Sequence, residues 1–172
     1  MARNVEIKAR LRDVAATRRL VEPLADGPPQ EVEQEDTFFR VASGRLKLRE
    51  RSGADAELIY YRRPDATGPK ESTYATAAVR DAAAMRQVLA AALGAAGTVR
   101  KRRLVYRVGR TRVHLDEVRG LGAFLELEVE LAPGDTADGG VREARRLMSA
   151  LRVGEEDLVA GAYVDLLSAL SG

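Results

Sequence analysis

Alternation of one-signed charge with aliphatic residues constrains this chain more than any other feature. In "GAFLELEVEL" (122–131), Glu126, Glu128 and Glu130 fall on one face of a strand, with Leu125, Leu127, Val129 and Leu131 on the other. In "GRLKLRER" (44–51), Arg45, Lys47, Arg49 and Arg51 share a face opposite Leu46 and Leu48. Period two is the signature of a strand, whose successive side chains point to opposite sides. "NVEIKARL" (4–11) repeats the pattern, setting Asn4, Glu6, Lys8 and Arg10 against Val5, Ile7, Ala9 and Leu11. On "TVRKRRLVYRVG" (98–109), Lys101 and Arg103 share a face with Val99 and Val105. On "TRVHLDEV" (111–118), His114 and Asp116 lie opposite Val113 and Leu115.

A single charged strand face is ordinarily just solvated. Like charges on one face repel, however, and mixed signs would serve solubility better. Segregation repeated over five strands favours a sheet curled with its polar faces inward and its aliphatic faces outward, under helices. Further strands read at "DTFFRV" (36–41), "AELIYYRR" (56–63) and "KESTYAT" (70–76). Eight strands at hairpin-like spacing point to an antiparallel barrel. Helical periodicity covers 13–25 and 81–94, and "GGVREARRLMSALRV" and "EEDLVAGAYVDLLSAL" form a closing helical pair. Residues 25–35 and 132–140 read as connecting loops. The fold expected is α+β: an eight-stranded antiparallel β-barrel or tunnel with helices packed outside, forming a single domain over 1–172.

Composition narrows the function classes. With 28 basic and 26 acidic residues, the net charge of +2 argues against a dedicated nucleic-acid binder. The absence of cysteine excludes thiolate chemistry and leaves metal binding to carboxylates and the single histidine, His114. No secretory leader and no apolar run of ~18 residues is present, so a soluble, cytoplasmic protein without a membrane partner is expected.

A polar interior of this composition suits one ligand class. Lysines and arginines neutralise a polyanion, arginine gripping phosphate bidentately. Carboxylates in the same cavity would repel that anion unless a divalent ion such as Mg²⁺ or Mn²⁺ lay between them. The chain has no Walker-type glycine loop, so side chains rather than backbone amides would hold the phosphates.

At this point the sequence resembles the CYTH superfamily, the triphosphate tunnel metalloenzymes, and within it the class IV adenylyl cyclase branch. "NVEIK" is a variant of the family's E-x-E-x-K strand. "QEDTFFRV", "GRLKLRER", "KRRLVYRV", "VHLDEVRGLGAFLELEVEL" and "AYVDLL" extend the likeness nearly end to end. The resemblance implies an eight-stranded tunnel, and it implies roles. Glu6, Glu126 and Glu128 match metal-site carboxylates, and Asp116 a further acidic position counted with them. Lys8, Lys47, Arg49, Lys101 and Arg103 match triphosphate-holding residues, with Arg10 and Arg62 at additional basic positions. Glu6, Lys8, Arg103 and Asp116 are the candidates for the reacting centre. Three departures stand out: Asn4 replaces the first glutamate, Arg62 falls where lysine is common, and no basic residue follows Arg152.

The implied activity is cleavage of a nucleoside triphosphate or other polyphosphate: ATP to cyclic AMP and pyrophosphate, or hydrolysis by a triphosphatase. A non-catalytic nucleotide or polyphosphate binder is the competing class; an RNA-directed role is disfavoured, and a homodimer is left open. His114 is expected as a satisfied interior or rim histidine. At most one of Tyr60 and Tyr61 should face the tunnel, and Tyr163 is expected to pack beside Leu166 and Leu167.

Overall fold

The computed structural model describes residues 1–171. The strands are β1 (Ala2–Arg10), β2 (Gln30–Phe39), β3 (Arg45–Arg51), β4 (Ala54–Arg62), β5 (Lys70–Val79), β6 (Ala95–Val108), β7 (Thr111–Val118) and β8 (Gly122–Leu131). They close into a barrel in the order β1-β5-β4-β3-β2-β6-β7-β8, every pairing antiparallel. The helices are α1 (Val14–Val21), α2 (Ala82–Leu93), α3 (Ala137–Ala150) and α4 (Tyr163–Leu170). This is the eight-stranded tunnel with outer helices that the alternation implies. Among the described residues no helix is long and apolar enough to cross a membrane.

Register turns alternation into an inside and an outside. Glu6 lies opposite Glu128 and Lys8 opposite Glu126 across β1 and β8, so these polar residues share the inner face. The other face of the same strands supplies Val5, Ile7, Leu125, Leu127 and Val129, each at most 1% exposed. Asp13 caps α1 by accepting a hydrogen bond from the Ala16 N–H, and α1 and α3 cover this apolar face. α3 comes so close that a Cβ on Gly140 would lie 2.7 Å from Val5 Cγ2, and a side chain there would push the helix off the barrel. α2 lays Met85, Leu89 and Ala90 over Phe39, Leu48 and Val79.

Two expectations about elements need correction. The stretch 25–35 is not loop throughout, because β2 begins at Gln30. Its first half holds Val32 as its single apolar residue, and Glu31 and Glu35 point outward and pair with Arg102 and Arg100 of β6. The segment 155–170 is not one helix. A 3₁₀ turn at Glu155–Asp157 leads into extended chain that bridges Leu158 to Ala9, and the Val159 N–H donates to the Lys8 carbonyl at 2.8 Å. Gly161 at φ +80° then turns the chain into α4, a left-handed conformation that costs glycine least.

That segment makes the two ends of the barrel unlike. At the end where β1 finishes, Ala162 and Tyr163 pack against Phe38, Val99 and Phe124 as a floor. Side chains beside it are deeply buried, Arg63 at 3% and Lys8 at 5% exposure. At the opposite end Arg51 and Glu57 are each 32% exposed and Arg112 35%. The tunnel is therefore a chamber with a floor and one open mouth.

Candidate functional site

The chamber encloses about 480 Å³. Its wall carries Lys8, Lys47, Arg49, Arg63, Lys101 and Arg103 together with Asn4, Glu6, Asp36, His114, Glu126 and Glu128. Inward alternation on six strands, with the residue just beyond β4, delivers them, so the cations converge from β1, β3 and β6 and from Arg63.

Without a ligand, each of these chamber-wall cations has a carboxylate or an aromatic face. Asp36 takes Arg49 bidentately at 2.9 and 2.9 Å and Lys47 at 3.0 Å, while Gln34 donates to both of its oxygens. Burial alone would raise the Asp36 carboxyl, but the Arg49 and Lys47 charges hold it well below the usual carboxylate range. Asp116 does the same for β6: Arg103 Nε and Nη2 donate to its two oxygens at 2.6 Å each, and Lys101 lies 3.1 Å away. Arg103 also donates to Glu126 at 2.8 Å. Burial pushes the Lys8 and Lys47 ammonium groups down to about 8 each. Lys8 Nζ sits 3.9 Å from the Tyr163 ring centroid, and Lys47 lies over Phe38 and Tyr61.

The expected residues are not all brought together. Glu6, Lys8, Lys47, Arg49, Lys101, Arg103, Glu126 and Glu128 line the chamber. Asp116 lies behind the wall, 1% exposed, and its oxygens are taken by Arg103, Lys101 and Tyr163, which makes it a counter-ion rather than an open metal position. Arg10 and Arg62 are exposed and outside the lining. Arg62 points outward because Tyr61 is the inward residue of its pair, and the next inward position belongs to Arg63. Arg63 donates to Glu6 at 2.5 Å and to the Gly161 carbonyl at 2.6 Å. Burial raises the Glu6 carboxyl in spite of that partner.

Two more corrections concern single residues. Tyr163 packs against Phe124 but also enters the site, its hydroxyl donating to Asp116 at 3.0 Å. His114 is 3% exposed, yet its Nδ1 has no hydrogen-bond partner. Arg63 was not separable from Arg62 in "YYRR" without the register, and Tyr163 was hidden because its partner lies 47 residues away in the chain.

The residues present fit a divalent ion. Ligand atoms of His114, Glu126 and Glu128 lie within 4.8 Å of one another, and Asn4 Oδ1 is likewise buried without a partner on the adjacent strand. A carboxylate pair with a neutral nitrogen is a donor set for a doubly charged cation.

Comparison with known proteins agrees with this fold. The PH1012 protein of Pyrococcus horikoshii OT3 has the same fold, with TM-score 0.84 and 22% identity over 95% of this chain and 98% of that one. An adenylyl cyclase candidate from Hippeastrum, described as having a dominant triphosphatase activity, superposes with TM-score 0.63 at 18% identity, covering 92% and 91% of the two chains. A candidate adenylate cyclase of Methanocaldococcus jannaschii is 29% identical over 68 residues, spanning 40% of this chain and only 39% of that relative's length. The CYTH domain family model matches residues 2–163. By sequence and by fold, the chain belongs to the CYTH domain family.

Proposed function

We propose that the chain is a divalent-metal-dependent enzyme acting on a triphosphate, in the manner of a class IV adenylyl cyclase that converts ATP to cyclic AMP and pyrophosphate. The observation that carries this reading is the ordering of charge along the chamber. Lys8, Lys101 and Arg63 lie toward the floor, whereas His114 pairs with Val105 and Glu128 with Arg112, a step nearer the mouth than the Arg103–Asp116 pair.

A nucleoside triphosphate entering phosphate-first has its terminal phosphates among the lysines and arginines. Its sugar and base then face the mouth, where Val32, Ile59, Tyr74 and Val105 provide apolar wall. Glu126 and Glu128, with Glu6 of the adjacent strand, would hold the metal. When bound, Mg²⁺ or Mn²⁺ supplies neutralisation of charge developing on the phosphoryl oxygens. The arginines and lysines hold the leaving pyrophosphate in line, and burial strengthens each of those contacts. The ribose 3′-oxygen bonds to the α-phosphorus, the α–β bridging bond breaks, and a proton is released.

Hydrolysis of a triphosphate is the second reading, favoured by the density of cations around the floor, which would serve inorganic triphosphate as well. Incubation with ATP, tripolyphosphate and thiamine triphosphate, each with Mg²⁺ or Mn²⁺, followed by separation of products, tests both. Cyclic AMP and pyrophosphate from ATP are expected. Orthophosphate without cyclic nucleotide would select the triphosphatase, and no product from any substrate would overturn the enzyme reading in favour of a binder.

A further inference from the structure

The buried nitrogen of His114 is the most conspicuous unmet polar group in the chamber. Its Nδ1 lies 3.8 Å from Glu126 Oε2 and 4.0 Å from Glu128 Oε1, both beyond hydrogen-bond length. Buried imidazole nitrogens are nearly always paired, so a partnerless one between two carboxylates calls for a third species. Ion–ligand bonds of about 2.1 Å set neighbouring ligand atoms about 3.0 Å apart and opposite ones about 4.2 Å apart. The two separations observed fall between those limits.

The carboxylates are also held for the purpose. Arg112 binds Glu128 through Oε2 at 2.8 Å, leaving Oε1 toward the histidine. Arg103 donates to Glu126 Oε2 at 2.8 Å and so fixes the oxygen that faces the histidine, with Oε1 turned toward Lys8 at 3.7 Å. Partners of this kind orient metal ligands. On the adjacent strand β1 the donors are weaker: Asn4 is neutral, and Glu6 is engaged by Arg63.

We propose that His114 Nδ1 is itself a metal ligand, forming with Glu126 and Glu128 a centre of one nitrogen and two carboxylates that prefers first-row transition ions over Mg²⁺. Mg²⁺ is bound through oxygen, whereas imidazole suits transition ions. The inference rests on the metal-dependent reading above, and it extends that reading by moving ligation from β1 to β7.

The test needs no turnover. Mn²⁺ is titrated into the untagged full chain without substrate, and pulsed electron paramagnetic resonance reads nitrogen coupled directly to the bound ion. His114 is the single histidine of the sequence, so ¹⁵N-histidine labelling must convert the ¹⁴N signal into a ¹⁵N signal, with no substitution at all. In the His114→Gln variant the nitrogen coupling should vanish, and the advantage of Mn²⁺ over Mg²⁺ in competition should fall about tenfold. Bound Mn²⁺ with no histidine nitrogen coupling would overturn the ligand assignment and leave the metal-dependent reading standing. Failure to bind Mn²⁺ at all would overturn both.

Discussion

Asp36 and Arg49 face each other across β2 and β3 in a two-point ion pair, with both nitrogen–oxygen distances 2.9 Å. The same carboxylate holds Lys47 at 3.0 Å, so one internal anion keeps two buried cations in place. Asp36→Asn should therefore destabilise the ligand-free protein by about 3 kcal/mol, the cost of leaving buried charge uncompensated. Tripolyphosphate should restore more stability to the variant than to the wild type, because it brings replacement negative charge. Thermal unfolding of both proteins with and without tripolyphosphate measures the difference.

Lys47 gives the chamber a pH dependence whose sign is fixed. Burial lowers its ammonium to about 8, against an ordinary value of 10.5. Between these two values the unfolded chain binds more protons, so this residue makes the ligand-free fold more stable as pH rises through that window. Binding runs the other way. A polyanion favours the charged form, so above pH 8 binding must take up a proton, and triphosphate affinity should fall toward pH 10. Calorimetry at pH 9 in buffers of different ionisation enthalpy should detect that uptake, and Lys47→Met should reduce it to the share of Lys8, whose ammonium is lowered to about 8 as well.

Neighbouring arginines separate the two sides of the wall. Arg63→Ala should weaken triphosphate binding by tenfold or more and destabilise the fold by about 3 kcal/mol, since it leaves Glu6 buried without its partner. Arg62→Ala, on the exposed face, should change stability by less than about 0.5 kcal/mol and leave binding unaltered. Equilibrium unfolding and a binding isotherm on each variant make the comparison.

This pair also shows what the sequence disclosed and what it concealed. β7 and β8 occupy the stretches 111–118 and 122–131 that alternation predicts, because β8 has one wholly apolar face under helices, β7 sets Val113 and Leu115 on the same side, and a glycine-containing turn joins them. The start of β2 was hidden because Gln30, Glu31, Glu33 and Gln34 leave little apolar rhythm, and the outward glutamates are matched by arginines of another strand. In "YYRR" two tyrosines precede two arginines, so a shift of one residue exchanges the inward pair for the outward one. The inward cations of β3 carried no such ambiguity, because Leu46 and Leu48 alternate with them. Asp116 was legible as inward but not as already occupied, since its three partners come from β6 and α4.

Tyr163 is expected to act through both its ring and its hydroxyl. Tyr163→Phe should cost about 1.5–3 kcal/mol, the range for a hydrogen bond to a charged group, while keeping a ring under Lys8. Tyr163→Leu should cost more, because it also removes the aromatic face from Lys8 and Lys101. Urea unfolding of the two variants orders them, and equal losses would leave the ring without a role.

The floor laid by Ala162 and Tyr163 has a kinetic consequence. A chamber with one door empties in the reverse order of filling. Whatever phosphate lodges against the floor leaves last, after the organic product that sat nearer the mouth. Until it goes, it occupies the place the next substrate needs. On the proposed cyclase reading, pyrophosphate should thus act as a competitive inhibitor against ATP, and its departure should pace the cycle.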